Sequence, residues 1–334
     1  MKNFKHIQSA HCENGVTSSL LHNNNLKGIT EPLAFGMGSG LFFIQLPFLK
    51  VNGGPAISFR TMPGAIFKRT CKNLNVPVQK KKYSSKEKSI TELNDLLDQG
   101  LAVGVQVGVY NLPYFPVEYR FHFNAHNIII YGREGDNYLV SDPTMETTTT
   151  LTADELTEVR FAKGALAPKG HIYLPKEFDL ENIDLAYAIK KGIKRNCRDM
   201  LRIPGKFAGV KGIGNTAKKI TKWRDQLGIR KAGLYLGQII RMQEEIGTGG
   251  GGFRYLYGAF LEEAHEHIPN DDLLELSNDF TKAGDMWRNS AVAMAQILKG
   301  RKTEQADFNE ISGRLMEIQA LETKAFSKLD KLKF

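Results

Sequence analysis

Residues 126–144, HNIIIYGREGDNYLVSDPT, constrain the fold more than any other stretch of this 334-residue chain. Ile128, Ile129, Ile130 and Tyr131 form an apolar run before Gly132, and Tyr138, Leu139 and Val140 form another after Asp136 and Asn137. That is the pattern of strand, turn and strand. If strands over 126–131 and 137–142 pair as an antiparallel hairpin, their far ends are adjacent and His126 stands beside Asp142. Pro143 follows at once and, lacking an N–H, prevents simple continuation of the ladder. A histidine fixed at a strand end can offer one ring nitrogen to a nucleophile and the other to a carboxylate. His122, four residues earlier in HFNAH, competes for the role of base.

The matching nucleophile is Cys12. In HIQSAHCENGVTSSLLHNNN the residues are polar up to Cys12, and apolar ones recur after it at Val16, Leu20 and Leu21, so a helix is expected to start near the thiol. The first turn of a helix is the positive end of its dipole, which stabilises a thiolate. Cysteine, then histidine at a strand start, then aspartate after the next strand is the order of a Cys-His-Asp hydrolase or acyltransferase. The backbone N–H of Cys12 and the side chain of Gln8 are the candidate donors for a tetrahedral oxyanion. Glu13 complements the helix dipole. The competing reading is a non-catalytic binding module in which Cys12 is a small buried structural residue.

The three cysteines, Cys12, Cys71 and Cys197, are odd in number and widely spaced, so they suggest neither a disulfide framework nor a metal site and suit a reducing cytoplasm. The basic start MKNFKHIQSAHCENG has no apolar core segment and does not read as a signal peptide. LAFGMGSGLFFIQLPFL is too short and broken to span a bilayer, so no membrane role is expected. Residues 1–170 mix short helices and strands. ITELNDLLDQG reads as a short helix stopped by Gly100, LAVGVQVGVY as a buried strand, NLPYFPVEYRFHFN as a loop, and His171–Leu174 as a last strand. From residue 176 to 334 the periodicity turns helical, as in DLAYAIKKGIKRNCRDML and NDDLLELSNDFTKAGDMW. The expected fold class is α+β, with a papain-like domain over 1–170 followed by an all-helical domain over 176–334 that covers the active-site cleft.

The formal charge of +9 is unevenly placed. Residues 190–231 hold 14 Lys or Arg against Asp199 and Asp225, while residues 244–280 hold nine carboxylates against Arg254. No zinc-finger spacing or aromatic-interleaved basic strand accompanies the basic stretch, which argues against nucleic acid. An acidic protein such as an acyl carrier protein, an acidic neighbour subunit in a homo-oligomer, or plain solvent is what such a face meets.

Glu31, in TEPLAFGMGSG, is a candidate to bind a substrate amine or to cap the glycine-rich segment. Gly36, Gly38 and Gly40 lack both the dinucleotide-binding and the Walker A arrangement, so no nucleotide cofactor is expected. TGGGG at 248–252 is either a helix connection or a gating loop, and the flanking Glu244, Glu245 and Arg254 are candidates to contact polar substrate. His265 and His267, two apart in EEAHEHIP, do not share a helix face, so no metal is expected there.

HCENGVTSSLLHNN with ITEPLAFGMGSGLFF, then HNIIIYG and YLVSDP, resembles the N-terminal domain of the butirosin biosynthesis protein H family. EEIGTGGGGFRYLYGAFLEEA resembles the domain of unknown function that accompanies it. The family's named member is an acyltransferase that moves an aminoacyl side chain from an acyl carrier protein thioester to an amine of an aminoglycoside. Its N-terminal domain resembles papain-like cysteine enzymes of the bacteriocin-leader-peptidase type (peptidase C39-like). The resemblance implies Cys12 as nucleophile, His126 as base and Asp142 as orienting acid, with no cofactor. Those peptidases carry an oxyanion glutamine six residues before the cysteine, whereas Gln8 stands four before it and position 6 is His6. The expected activity is acyl transfer from a carrier-protein thioester to a small amine acceptor, with a cysteine peptidase or amidase as the alternative.

Overall fold

The computed structural model describes residues 4–51, 53–246 and 249–333. Along the first half run α1 (Cys12–Asn23), α2 (Glu31–Met37), β1 (Leu41–Val51), β2 (Gly54–Arg60), α3 (Ala65–Asn73), β3 (Val78–Lys81) and α4 (Lys86–Asp98). Then come β4 (Val103–Val107), β5 (His126–Glu134), β6 (Asn137–Ser141), β7 (Thr149–Thr152), α5 (Ala153–Arg160) and β8 (Ile172–Pro175). The second half is helical throughout its described residues: α6 (Leu185–Leu201), α7 (Gly209–Leu227), α8 (Ile229–Ile240), α9 (Arg254–His267), α10 (Asp271–Leu298) and α11 (Gln305–Lys331). The class is α+β with a helical C-terminal region. Among the described residues no helix is long and apolar enough to cross a membrane.

The chain forms two compact units, Met1–Ala34 with Ile66–Asp184 and Phe35–Ala65 with Leu185–Phe334. A simple division near residues 170–176 therefore misses residues 35–65. These form the antiparallel β1–β2 hairpin, and their aromatic side chains explain the placement. Phe43 and Phe59 meet edge to face at 5.4 Å between ring centres, and Trp287 of α10 lies 5.8 and 5.0 Å from them. Each such ring buries more apolar surface than any aliphatic side chain, so the hairpin joins the unit that holds its tryptophan.

In the first unit the strands form one antiparallel sheet in the order β3-β8-β4-β5-β6-β7. Alternating Val103, Val105 and Val107 of β4 and Ile128 and Ile130 of β5 pack with Leu93, Leu96 and Leu97 of α4 and Leu156 and Val159 of α5. The hairpin of β5 and β6 is not regular. Gly132 faces Leu139, but Ile130 faces Val140, so one extra residue, Tyr131, is accommodated on β5 as a bulge.

In the second unit α7 forms although Gly209, Gly212 and Gly214 lower its helix propensity. Packing explains the departure: a Cβ at Gly214 would lie 2.1 Å from the Gln319 side chain of α11. The run Gly249–Phe253 has positive φ at every residue, 56–86°, a conformation glycine adopts without steric cost. Gly251 N–H is received by Glu244 at 3.2 Å, and Gly252 O accepts Arg254 Nη1 at 2.7 Å. The segment is thus a tightly held turn into α9; Thr248 lies outside the described residues. Arg254, expected to meet substrate, is instead fully buried. Its Nε and Nη2 donate to Glu322 at 2.9 and 2.8 Å, and Trp287 Nε1 donates to the same carboxylate at 2.8 Å. Its guanidinium also lies 5.3 Å from the Trp287 ring centre. The local sequence shows a charge beside a glycine loop; its partner comes 68 residues later.

Replacing Glu322 with Ala strands a buried guanidinium and should cost about 3–5 kcal/mol, whereas the apolar double replacement Arg254→Met with Glu322→Leu should cost far less. Urea unfolding measures both. A Glu322→Ala loss no larger than that of the double variant would show that the pair is not what holds this turn.

Candidate active site

Cys12 is the first residue of α1, where the sequence places it. His11 caps the helix, its Nδ1 accepting Asn14 N–H at 3.4 Å. The loop before the thiol is fixed from two sides. Glu31 accepts the N–H groups of Ala10 and His11, each at 2.8 Å. On the other side Ser9 N–H donates to Pro143 O at 2.7 Å, and His6 hydrogen-bonds Ser141 Oγ at 2.8 Å and Met145 O at 3.1 Å. Residues 141–145 thereby carry Asp142 and also hold the segment leading to Cys12. Gly15 permits this approach, since a Cβ there would meet the Pro143 side chain at 2.5 Å. Glu13 Oε1 accepts Ile66 N–H at 2.9 Å and so anchors α1 to α3 as well as facing the helix dipole.

His126 opens β5 and Asp142 directly follows β6. The ring Nε2 and Asp142 Oδ2 are 2.6 Å apart, both groups buried. The Cys12 sulfur lies close enough to the same imidazole to favour its charged form. Asp142 Oδ1 accepts the N–H and hydroxyl of Thr144 at 3.0 and 2.8 Å, and Oδ2 also accepts Tyr114 O–H at 3.0 Å. Phe115 stands edge to face on the His126 ring at 5.4 Å. The loop read from NLPYFPVEYRFHFN thus packs on the site through Tyr114 and Phe115. His122, the competing base, is exposed and stacks on Tyr110 at 4.1 Å.

Burial works against a charged His126, but Asp142 and the Cys12 sulfur outweigh it and raise the ring from 6.5 to about 10. Burial likewise works against the Asp142 carboxylate, and His126 and Thr144 together bring its pKa below the ordinary value. Burial pushes the thiols of Cys71 and Cys197 well up, at Cys197 against the opposing charges of Lys194 and Arg202, which makes them poor nucleophiles.

Two further residues reach the thiol region. Asn127 Nδ2 lies 3.7 Å from Cys12 Sγ and donates to Ala125 O at 3.0 Å, while its Oδ1 accepts Tyr173 O–H at 2.8 Å. Because the Ala125 carbonyl can only accept, it fixes which end of the amide faces the sulfur. The one sequence signal was a polar residue inside the apolar strand HNIII. The other candidates take different places. Gln8 is exposed, and among the described residues no hydrogen bond ties it to the thiol. Glu31 spends its carboxylate on the Ala10 and His11 N–H groups; burial raises its pKa against their opposing effect. Arg254 belongs to the other unit and to Glu322. His265 Nδ1 accepts Asn270 N–H at 3.3 Å at the end of α9.

The family model for butirosin biosynthesis protein H, N-terminal, matches residues 11–143, and a model for a domain of unknown function (DUF4872) matches residues 154–329. The chain belongs to the butirosin biosynthesis protein H family. The first match contains Cys12, His126 and Asp142; the second begins inside the first compact unit and includes β8. Among solved structures, a C39-like peptidase from Bacillus anthracis is similar over 54% of this chain and 97% of its own, with a TM-score of 0.38 and 12% identity. No curated protein matches.

The pair His126–Asp142 has a stability signature. His126 is raised, so its contribution is fully present below its ordinary 6.5 and is lost as pH rises through about 10. Asp142 is lowered, so its contribution is present above 3.8 and fades as pH falls through its folded value. The destabilisation by Asp142→Asn should therefore be largest between these limits and shrink towards about pH 10. Urea midpoints across pH measure it, and a difference that does not vary with pH would contradict the charged pair.

Proposed function

We propose that this protein is an acyltransferase that takes an acyl or aminoacyl group from a thioester onto Cys12 and passes it to an amine. The observation that carries the reading is the single imidazole of His126, held at 2.6 Å by Asp142 and close enough to the Cys12 sulfur to be raised by it. Family membership agrees with it, since the family is named for a step in antibiotic biosynthesis.

In this reading the Cys12 thiolate attacks the thioester carbonyl, forming a C–S bond and a tetrahedral oxyanion. Asn127 Nδ2, beside the sulfur, is the side-chain donor assigned to that oxyanion. Collapse expels the donor's sulfur, which takes the proton from His126, and leaves an acyl-Cys12 and a neutral ring. The amine then attacks, His126 removes its proton, and a second collapse releases the amide and restores thiolate and imidazolium. Asp142 keeps the ring oriented and stabilises its charge without taking the proton. The donor's carrier is an acidic protein docking on the basic residues of 190–231, which carry little of the chemistry and steer encounter.

Intact-mass spectrometry with a small acyl thioester tests the chemistry. A single acyl adduct should appear on the wild type and be absent from Cys12→Ala, and an added amine should discharge it as an amide. Discharge to free acid at the same rate with and without amine would favour the hydrolase alternative, and no adduct on the wild type would remove the proposal. For the carrier, neutralising Lys218 and Lys222 should slow transfer from a carrier-bound donor and leave the small thioester nearly unchanged, and raised salt should do likewise. Equal loss on both donors would refute docking as their role.

A further inference from the structure

We infer that Tyr173 is a positioning residue for the oxyanion, fixing and polarising the Asn127 amide that faces the Cys12 sulfur. The role rests on the acyl transfer proposed for Cys12. Tyr173 stands on β8, 46 residues beyond Asn127, and its O–H donates to Asn127 Oδ1 at 2.8 Å. It lies in the stretch matched by the domain of unknown function, outside the match that contains Cys12, His126 and Asp142. Yet it belongs to the first compact unit, as they do. The second family model thus supplies a side chain that reaches the thiol region through Asn127.

The sheet is arranged to let this contact form. In the strand order β4 separates β8 from β5, so the Tyr173 side chain has to cross β4 to meet Asn127. Gly104 of β4 is the ladder partner of Tyr173, and a Cβ there would lie 2.6 Å from the tyrosine ring. A glycine inside a strand weakens it and marks a close approach by another group; here the group is the phenol ring. Phe67 of α3 packs on the same ring, 4.8 Å between centres. Burial, with the charges of Glu13 and Cys12, pushes the pKa of the phenol well up. Tyr173 therefore stays an O–H donor wherever the thiolate is active.

The buried Asn127 amide is held at both ends. Its Nδ2 carries two N–H groups: one donates to Ala125 O at 3.0 Å, and the nitrogen lies 3.7 Å from Cys12 Sγ for the other. Its Oδ1 accepts the phenol, so the side chain cannot turn its donor away from the sulfur without breaking two hydrogen bonds. Accepting at the oxygen also draws electron density from the nitrogen and strengthens its N–H groups as donors, the cooperative effect of a hydrogen-bond chain. Donors fixed in advance where negative charge develops are what lowers the barrier to a tetrahedral intermediate. The phenol O–H is itself spent on Asn127, so Tyr173 acts through the amide rather than on the reacting atoms.

Two reactions of Cys12 in the full chain test the role. Acylation by S-phenyl thioacetate passes through a tetrahedral oxyanion, whereas alkylation by iodoacetamide, in which the sulfur displaces iodide, forms none. Mass spectrometry of digested samples follows both at Cys12 separately from Cys71 and Cys197. Outright loss of an oxyanion donor costs about 10²–10³-fold. Tyr173→Phe only loosens the donor, so it should slow acylation about tenfold and leave alkylation within about twofold of the wild type. Asn127→Ala should slow acylation further, and adding Tyr173→Phe to it should cost nothing more, because the phenol has no other route to the oxyanion. Wild-type acylation by Tyr173→Phe, equal slowing of both reactions, or losses that multiply in the double variant would overturn the role. A wild type that alkylates but forms no acyl adduct would instead remove the acyl transfer beneath it, and the role with it.

Discussion

The bulge at Tyr131 decides whether the candidate site exists. Counted from the turn, Gly132 faces Leu139, and an unbroken ladder would set Ile129 opposite Asp142. Directly opposed residues share a face of the sheet, so Asp142 would then lie on the face of Ile129 and Asn127, away from His126. The extra residue changes the pairing to Ile130 with Val140 and Ile129 with Ser141. Asp142 then falls in line with Ile128 and, two residues on, with His126. A shift of one residue flips every side chain beyond it, and bulges are a recurrent way of re-aiming a side chain near a functional site. Tyr131 itself is stacked on Phe4 at 4.4 Å, which gives the inserted residue a packing partner.

From that register the other positions follow. With Asp142 placed, Pro143 O and Met145 O lie where Ser9 and His6 can bond them, and Gly15 lets α1 come close. The aspartate's segment and the cysteine's loop are therefore one cross-linked assembly, closed on its far side by Glu31. A carboxylate so used helps fix the position of Cys12 without touching it.

The sequence revealed those parts of the site that local pattern controls. Cys12 was legible because the change from polar to periodic apolar residues marks a helix start, and His126 with Asp142 because a short turn forces the hairpin ends together. The bulge itself was not legible, since an apolar run such as IIIY pairs equally well in either register. Asn127, Tyr173 and Tyr114 were missed because their roles depend on strands and loops far apart in sequence. Arg254 failed for the same reason in reverse: its partner Glu322 lies on α11, and nothing around the glycine run announces that the charge is buried. The discontinuous second unit was equally hidden, because the fate of residues 35–65 is set by Trp287, more than two hundred residues away.

The electrostatics of His126 suit both halves of the proposed reaction because two anions share its charge. With thiolate and carboxylate both present the ring is held protonated to about pH 10, ready to give its proton to a departing sulfur. Acylation converts Cys12 to a neutral thioester and removes one of the two stabilising partners. Burial, which opposes the charge throughout, then weighs more heavily against Asp142 alone, and the ring's affinity for a proton falls. A neutral imidazole is what the incoming amine requires. The change from acid to base thus follows from loss of the thiolate's charge, with no movement of the histidine, and it returns when the amide leaves.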